Sequence, residues 1–292
     1  MNGLLVIDKP TGITSRDAVN RAARWFAKDV RLGHTGTLDP LATGVLVLCV
    51  GQCTRLASLV QDMPKSYTTR LLLGSTSNTD DADGIIEPKP NAVAPTEAAI
   101  RERLAEFIGD IVQLPPVYSA LKIDGRRAHE LARAGESVEL APRTVRVYAI
   151  ELRGYDWPHL DLAIDCGKGT YIRSIGRELG EKLGCGALVR TLRRERVGPF
   201  EASHGVGVDA PPDLRKTLLP PGAATHGLMQ AVLAVEQVWK FRQGQAVQVS
   251  PRPDVPAGPP QTVAVLSASG EFVGLGQETA TGWLRPSVVF AT

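Results

Sequence analysis

Cysteine is scarce. Four occur in 292 residues, Cys49, Cys53, Cys166 and Cys185, and only Cys49 and Cys53 lie close together, with no histidine at ligand spacing. Structural zinc sites usually draw on two such pairs. The thiols are therefore expected to be reduced and buried, as in a cytoplasmic protein, and no metal site is expected. No run approaches the roughly 20 apolar residues of a membrane-spanning helix. Met1 to Pro10 lacks a basic stretch ahead of a long apolar one, which does not fit a secretory signal. A phosphate loop of the GxxxxGK[ST] type is missing, as are a GxGxxG turn after a strand, HExxH and the GxSxG elbow, and the five histidines are scattered. These absences argue against nucleotide-triphosphate, dinucleotide, zinc-protease and serine-hydrolase chemistry. Neither sign of charge prevails: 33 basic residues face 31 acidic ones, a formal net of +2.

The apolar fraction of 43% is that of an ordinary globular chain with a sizeable core. Thr14 and Asp17 form a capping-box pattern ahead of Ala18, Val19, Ala22, Ala23 and Phe26 at helical spacing. Val45 to Val50 is a continuous, β-branched-rich run, which predicts a strand buried on both faces. Tyr67, Thr69, Leu71 and Leu73 alternate, predicting a second strand over 66–73. Thr96 caps a predicted helix carrying Ile100, Leu104, Phe107 and Ile108, closed by Gly109, and Ile172, Ile175, Leu179 and Leu183 predict another, closed by Gly184. Strands and helices mix without a βαβ rhythm, so the fold class is α+β. A Pro-rich stretch, Ala210 to Gly227, reads as a linker or an irregular connection. Short apolar segments beyond it, divided by Gly and Pro, predict a small C-terminal all-β module.

Charge is distributed unevenly. From Lys168 to Arg196, eight basic residues stand against three acids. This cluster either attracts phosphate or forms a solvated helix face, and charge alone does not decide between them. The densest unusual segment is Gly33-His34-Thr35-Gly36-Thr37-Leu38-Asp39-Pro40-Leu41-Ala42-Thr43-Gly44. Pro40 steers Asp39 away from helical dihedrals, and the predicted strand starts at once afterwards. Such a loop is a rigid place to present a carboxylate, although an ordinary turn with Asp39 bonded to its own backbone has the same composition.

The string GHTGTLDPLATGVL resembles the catalytic motif of the bacterial TruB-type tRNA pseudouridine synthases. Further blocks are similar to the same family in the same order: Asp8-Lys9-Pro10 with Gly12 and Thr14-Ser15, Lys65-Ser66-Tyr67, Pro115 to Lys122, Lys168 to Ser174, and Gly184 to Arg194. They span about two-thirds of the chain. One departure stands out. In Ser77-Asn78-Thr79-Asp80-Asp81-Ala82-Asp83-Gly84, Asn78 replaces an acid usual in the family, which puts the ordering of that loop in question.

The resemblance implies a pseudouridine synthase fold, with a central mixed, mainly antiparallel sheet flanked by helices, over residues 1–230. It also implies an RNA-gripping insertion at about 118–146 and a PUA-like RNA-binding unit over 231–292. It implies that Asp39 is the catalytic carboxylate and that Arg173 holds it ionised. Tyr67 would stack on an everted uracil, Tyr171 and Leu192 would complete its pocket, and His34 would occupy the space vacated in the RNA. The expected substrate is the T-stem-loop of tRNA, modified at tRNA position 55. Isomerisation is redox-neutral, so no cofactor is expected. The protein is expected to act as a monomer in the cytoplasm, away from membranes and with no obligate protein partner. Three other readings share these residues: an RNA-binding or RNA-folding protein without catalysis, a relative that modifies another RNA under the guidance of partner proteins, and an aspartate-based glycosidase, which would need a second carboxylate.

Overall fold

The computed structural model describes residues 1–119, 121–123, 125–134, 136, 139–250 and 258–290. Ala120, Asp124, Gly135, Ser137 and Val138 of the expected insertion lie outside the described residues, as do 251–257, 291 and 292 of the expected C-terminal unit.

The main sheet is mixed. Its strands run in the spatial order Gly3–Lys9, Thr43–Val50, Ala187–Val197, Lys65–Leu73, His159–Cys166, Arg143–Asp156, Gly109–Gln113. Neighbours pair antiparallel except Thr43–Val50 and Ala187–Val197, which are parallel. The continuous apolar run behaves as its composition predicts, because it has a covered face on each side. Leu46, Leu48 and Val50 join one core with the helices Ser15–Ala23, Glu97–Ala105 and Ile172–Lys182. Val45, Val47 and Cys49 join a second core with Phe200, Ala224, Leu275 and Phe290. With no solvated face, the strand has no position at which alternation would be favoured. Lys65–Leu73 does alternate, with Thr69, Leu71 and Leu73 inward.

Thr14 caps the first helix with the anticipated box: its hydroxyl accepts the Asp17 N–H at 3.0 Å, and the Asp17 carboxylate accepts the Thr14 N–H at 3.0 Å. The helix expected to run to Gly109 instead ends at Ala105. Glu106 is drawn into ion pairs with Arg103 and with Lys182 of the helix Ile172–Lys182. Phe107 then turns into the core while Ile108 stays exposed. The Pro-rich stretch is a docked strap and not a free linker: Leu219 and Leu4 exchange backbone hydrogen bonds of 2.8 and 2.9 Å.

A second sheet, ordered Gln230–Leu233, Gln261–Ser267, Phe272–Glu278, Trp283–Val289, Val247–Gln248, forms the C-terminal β module. It carries a helix that the segment pattern did not predict, Val235–Arg242, which turns Val238 and Phe241 inward. Leu275 and Phe290 pack into the second core of the larger part, and Arg55 donates to the Val289 carbonyl at 2.8 Å, so the two sheets are joined by a shared apolar contact. The four cysteines are free and buried, and burial pushes the Cys49 and Cys53 thiols up to about 12. No helix among the described residues is long and apolar enough to cross a membrane.

Candidate active site

Three adjacent central strands carry the site. Arg194 pairs with Gly44 on one side and with Tyr67 on the other, and Leu192 stands opposite Thr69. Gly44 is required here: its φ is +97°, and a Cβ would lie 2.2 Å from the Arg194 carbonyl oxygen. A larger residue would push these two strands apart.

The loop ahead of Gly44 presents Asp39. The Ser15 hydroxyl donates to the Leu38 carbonyl at 3.0 Å and accepts the Leu38 N–H at 2.8 Å. Gly12 N–H reaches the Pro40 carbonyl at 2.8 Å. Beneath lies Lys9, fully buried, whose ammonium donates to the carbonyls of Pro10 at 2.9 Å, Ile13 at 2.8 Å and Pro40 at 3.4 Å. Burial brings its pKa down to about 8, against a counter-pull from Asp39. The residues on both sides of Asp39 are thus fixed by hydrogen bonds from elsewhere, which distinguishes this loop from an ordinary turn.

Asp39 meets Arg173 at 2.9 Å. The Arg173 side chain is only 5% exposed, and it also pairs with Asp81 at 3.3 Å. Nη1 also donates to the Thr79 carbonyl at 3.0 Å, and Nη2 to the Tyr118 carbonyl at 2.9 Å. Asp81 accepts from the Thr79 hydroxyl at 2.6 Å and the Asp83 N–H at 3.1 Å, and burial raises its carboxyl above the usual range despite Arg173. Asp80, in a left-handed conformation at φ 63°, pairs with Arg177. Asn78 accepts the Ile85 N–H at 2.8 Å, so a neutral amide oxygen closes the loop that the missing acid had put in question.

Asp39, Tyr67, Tyr171, Arg173 and Leu192 all line one cavity of about 610 Å³. Tyr67 is half-buried, and desolvation pushes its phenol up. Tyr171 is held by fully buried Gln113, which accepts its N–H at 2.8 Å and donates to its carbonyl at 3.0 Å. The Arg143 guanidinium lies 4.7 Å from the Tyr171 ring centre. His34 is not in this cavity. It lines an adjoining one of about 630 Å³, on the far side of Thr37, Leu38, Asp39 and Arg173, which border both. Besides Asp39, the only acid among the described residues lining the first cavity is Asp62, more than half exposed and paired with Lys168 at 2.9 Å. The second free carboxylate that a glycosidase needs is not found on that wall.

The basic cluster of 168–196 is largely consumed internally. Lys168, Arg173, Arg177, Lys182, Arg193 and Arg196 all have carboxylate partners, and Arg194 is buried. Lys9, Asp81, Gln113 and Arg194 are site residues to which the sequence gave no role.

Residues 24–172 match the TruB family pseudouridylate synthase N-terminal domain, residues 173–220 the tRNA pseudouridylate synthase B C-terminal domain, and residues 230–290 the C-terminal domain of pseudouridine synthase II TruB. The tRNA pseudouridine synthase B of Xanthomonas campestris pv. campestris (strain 8004) is 42% identical, over 99% of this chain and 94% of that protein. The chain belongs to the TruB family. Its relative of the same name in Stutzerimonas stutzeri (strain A1501) is 40% identical over 98% of this chain and 94% of that one. A chain in the solved structure of an H/ACA RNP bound to a substrate RNA containing 2'-deoxyuridine shares the fold, with a TM-score of 0.75 and 24% identity over 99% of this chain and 85% of that chain. The TruB matches together cover the main sheet apart from its strand Gly3–Lys9, the strap as far as residue 220, and the C-terminal sheet.

Proposed function

We propose that this protein converts uridine to pseudouridine in the T-loop of tRNA, at tRNA position 55, with Asp39 as the catalytic carboxylate. One observation carries the reading: the Asp39 carboxylate is held at 2.9 Å by a buried arginine on the wall of a cavity that also presents Tyr67, Tyr171 and Leu192. The reaction breaks the bond from N1 of uracil to the sugar carbon C1′, turns the base, and joins C5 to that carbon. The proton on C5 leaves and N1 gains one, so atoms and electrons balance without an external reagent. A carboxylate serves as nucleophile or base for this sequence. Arg173 pairs with it and aims it, with its fork fixed on the other side by Asp81 and two carbonyls.

A stacked uridine has to be everted, at a cost of a few kcal/mol. Ring contact with Tyr67 and apolar contact with Leu192 offset that cost, Tyr171 closes the pocket, and His34 takes the space the base leaves. We assign catalysis to residues 1–230, RNA gripping to about 118–146, and RNA-stem contact through shape and phosphates to the PUA-like unit over 231–292. The protein acts as a cytoplasmic monomer with no obligate protein partner. Chemical mapping of pseudouridine in unmodified tRNA after incubation with the pure protein tests the reading: a single new pseudouridine in the T-loop is expected, and unmodified tRNA would overturn it.

A further inference from the structure

We infer that Arg194 is a positioning residue for the isomerisation, tying the Asp39 loop to Tyr67 so that carboxylate and aromatic platform keep one geometry. The inference rests on the roles proposed above for Asp39 and Tyr67. Arg194 is 4% exposed and lies on the strand between those that carry the two groups. Its Nε donates to the Val45 carbonyl at 2.7 Å, its Nη2 to the Gly36 carbonyl at 3.1 Å and its Nη1 to the Thr37 carbonyl at 3.4 Å. These carbonyls bracket Asp39 in the chain. Arg194 also stands opposite Tyr67 on the neighbouring strand, so the two side chains share a face, and its charge acts on the phenol. It also lines the cavity.

Only a planar fork with several fixed donors reaches carbonyls on both arms of a loop while facing a phenol. A lysine ammonium keeps the charge but is a single point. The backbone is as constrained as the side chain, since Gly44 permits the strand of Arg194 to approach the loop's end. Arg194 makes no bond in the reaction, and its effect passes through the atoms it holds. A displacement of about 1 Å at a reacting group costs on the order of 100-fold in rate.

The test uses Arg194→Met and Arg194→Lys in the full chain, with single-turnover conversion of tRNA uridine and tRNA Kd measured separately. Arg194→Met is expected to slow conversion by about 100-fold while tRNA Kd stays within about threefold of the parent. Arg194→Lys should recover part of the rate. Tyr67→Phe should cost less in the Arg194→Met background than in the parent, because the charge facing the phenol is already gone. An active parent with an Arg194→Met rate within about threefold of it overturns the inference and leaves the functional reading standing, whereas an inactive parent overturns that reading itself. Equal losses in rate and tRNA affinity, with lysine no better than methionine, also overturn the inference. Should Arg194→Met not fold, Arg194→Lys decides: a slowed rate at parental Kd supports the tie, and a parental rate refutes it.

Discussion

Replacing Arg173 with methionine separates the electrostatics of the site from its shape. The substitution keeps much of the apolar stem but strands two carboxylates. Asp81, whose side chain is 5% exposed, loses its only cationic partner among the described residues, while Asp39, at 34%, remains reachable by water. Removing one partner of a buried pair costs about 3–5 kcal/mol. The exposed Asp39 contributes little to that figure because solvent screens it. A deficit of about 3 kcal/mol at neutral pH is therefore expected. The pH dependence is diagnostic. Burial already raises the Asp81 carboxyl and Arg173 pulls it down, so the variant's Asp81 rises further. A carboxyl raised in the folded chain keeps its proton where the unfolded chain has lost it. Its penalty is then absent at low pH and grows as pH rises through the raised value. Urea unfolding of parent and Arg173→Met at pH ~5 and ~7.5 should give a smaller deficit at the lower pH. A deficit that is equal at both, larger at the lower pH, or below about 1 kcal/mol throughout would refute the claim that Arg173 neutralises a buried charge.

Tyr67→Phe retains the ring and loses the phenol that Arg194 engages; turnover should slow by about tenfold with only a modest loss of tRNA affinity, and unchanged steady-state kinetics would remove any role for the hydroxyl. Lys9 is held at about 8, against 10.5 for a free lysine, chiefly by burial. Between those values the unfolded chain still carries a proton that the folded chain has released, so folding is favoured increasingly as pH rises through that window. The parent should gain about 2 kcal/mol over Lys9→Met between pH ~7.5 and ~9.5 in urea unfolding, whereas a constant difference would contradict the burial of a charge there.

The parts of the fold legible in the sequence are those set by local chemistry or by a face. Val45 to Val50 could be read because both of its faces are covered, and Tyr67 to Leu73 because only one is. Asp39 stood out through the glycines and proline around it, and the family resemblance supplied its link to Arg173, 2.9 Å away. What could not be read depended on distant partners. The basic stripe over 168–196 meets distant acids, Asp8, 185 positions from Arg193, Asp62, 106 from Lys168, and Asp80, 97 from Arg177. No local count of charge registers such pairs. Arg194 was lost in that count for the same reason, since its carbonyl partners carry no sequence signature. Asp81 lay inside a string noted only for its departure at Asn78, and its place beneath Arg173 follows from the docking of that loop on Val189, through backbone bonds of 2.9 and 3.0 Å. The helix Glu97–Ala105 ends sooner than its apolar spacing suggested because its last turn tightens to three-residue bonds, Glu106 N–H to the Arg103 carbonyl at 3.2 Å and Phe107 N–H to the Leu104 carbonyl at 3.1 Å.

The most direct test removes the Asp39 charge and changes almost nothing else. With Asp39→Asn, tRNA binding and chemical mapping of pseudouridine are measured on the same protein sample. The account predicts tRNA bound with affinity within about threefold of the parent and no pseudouridine formed. Pseudouridine appearing in the T-loop at the parental rate would contradict it.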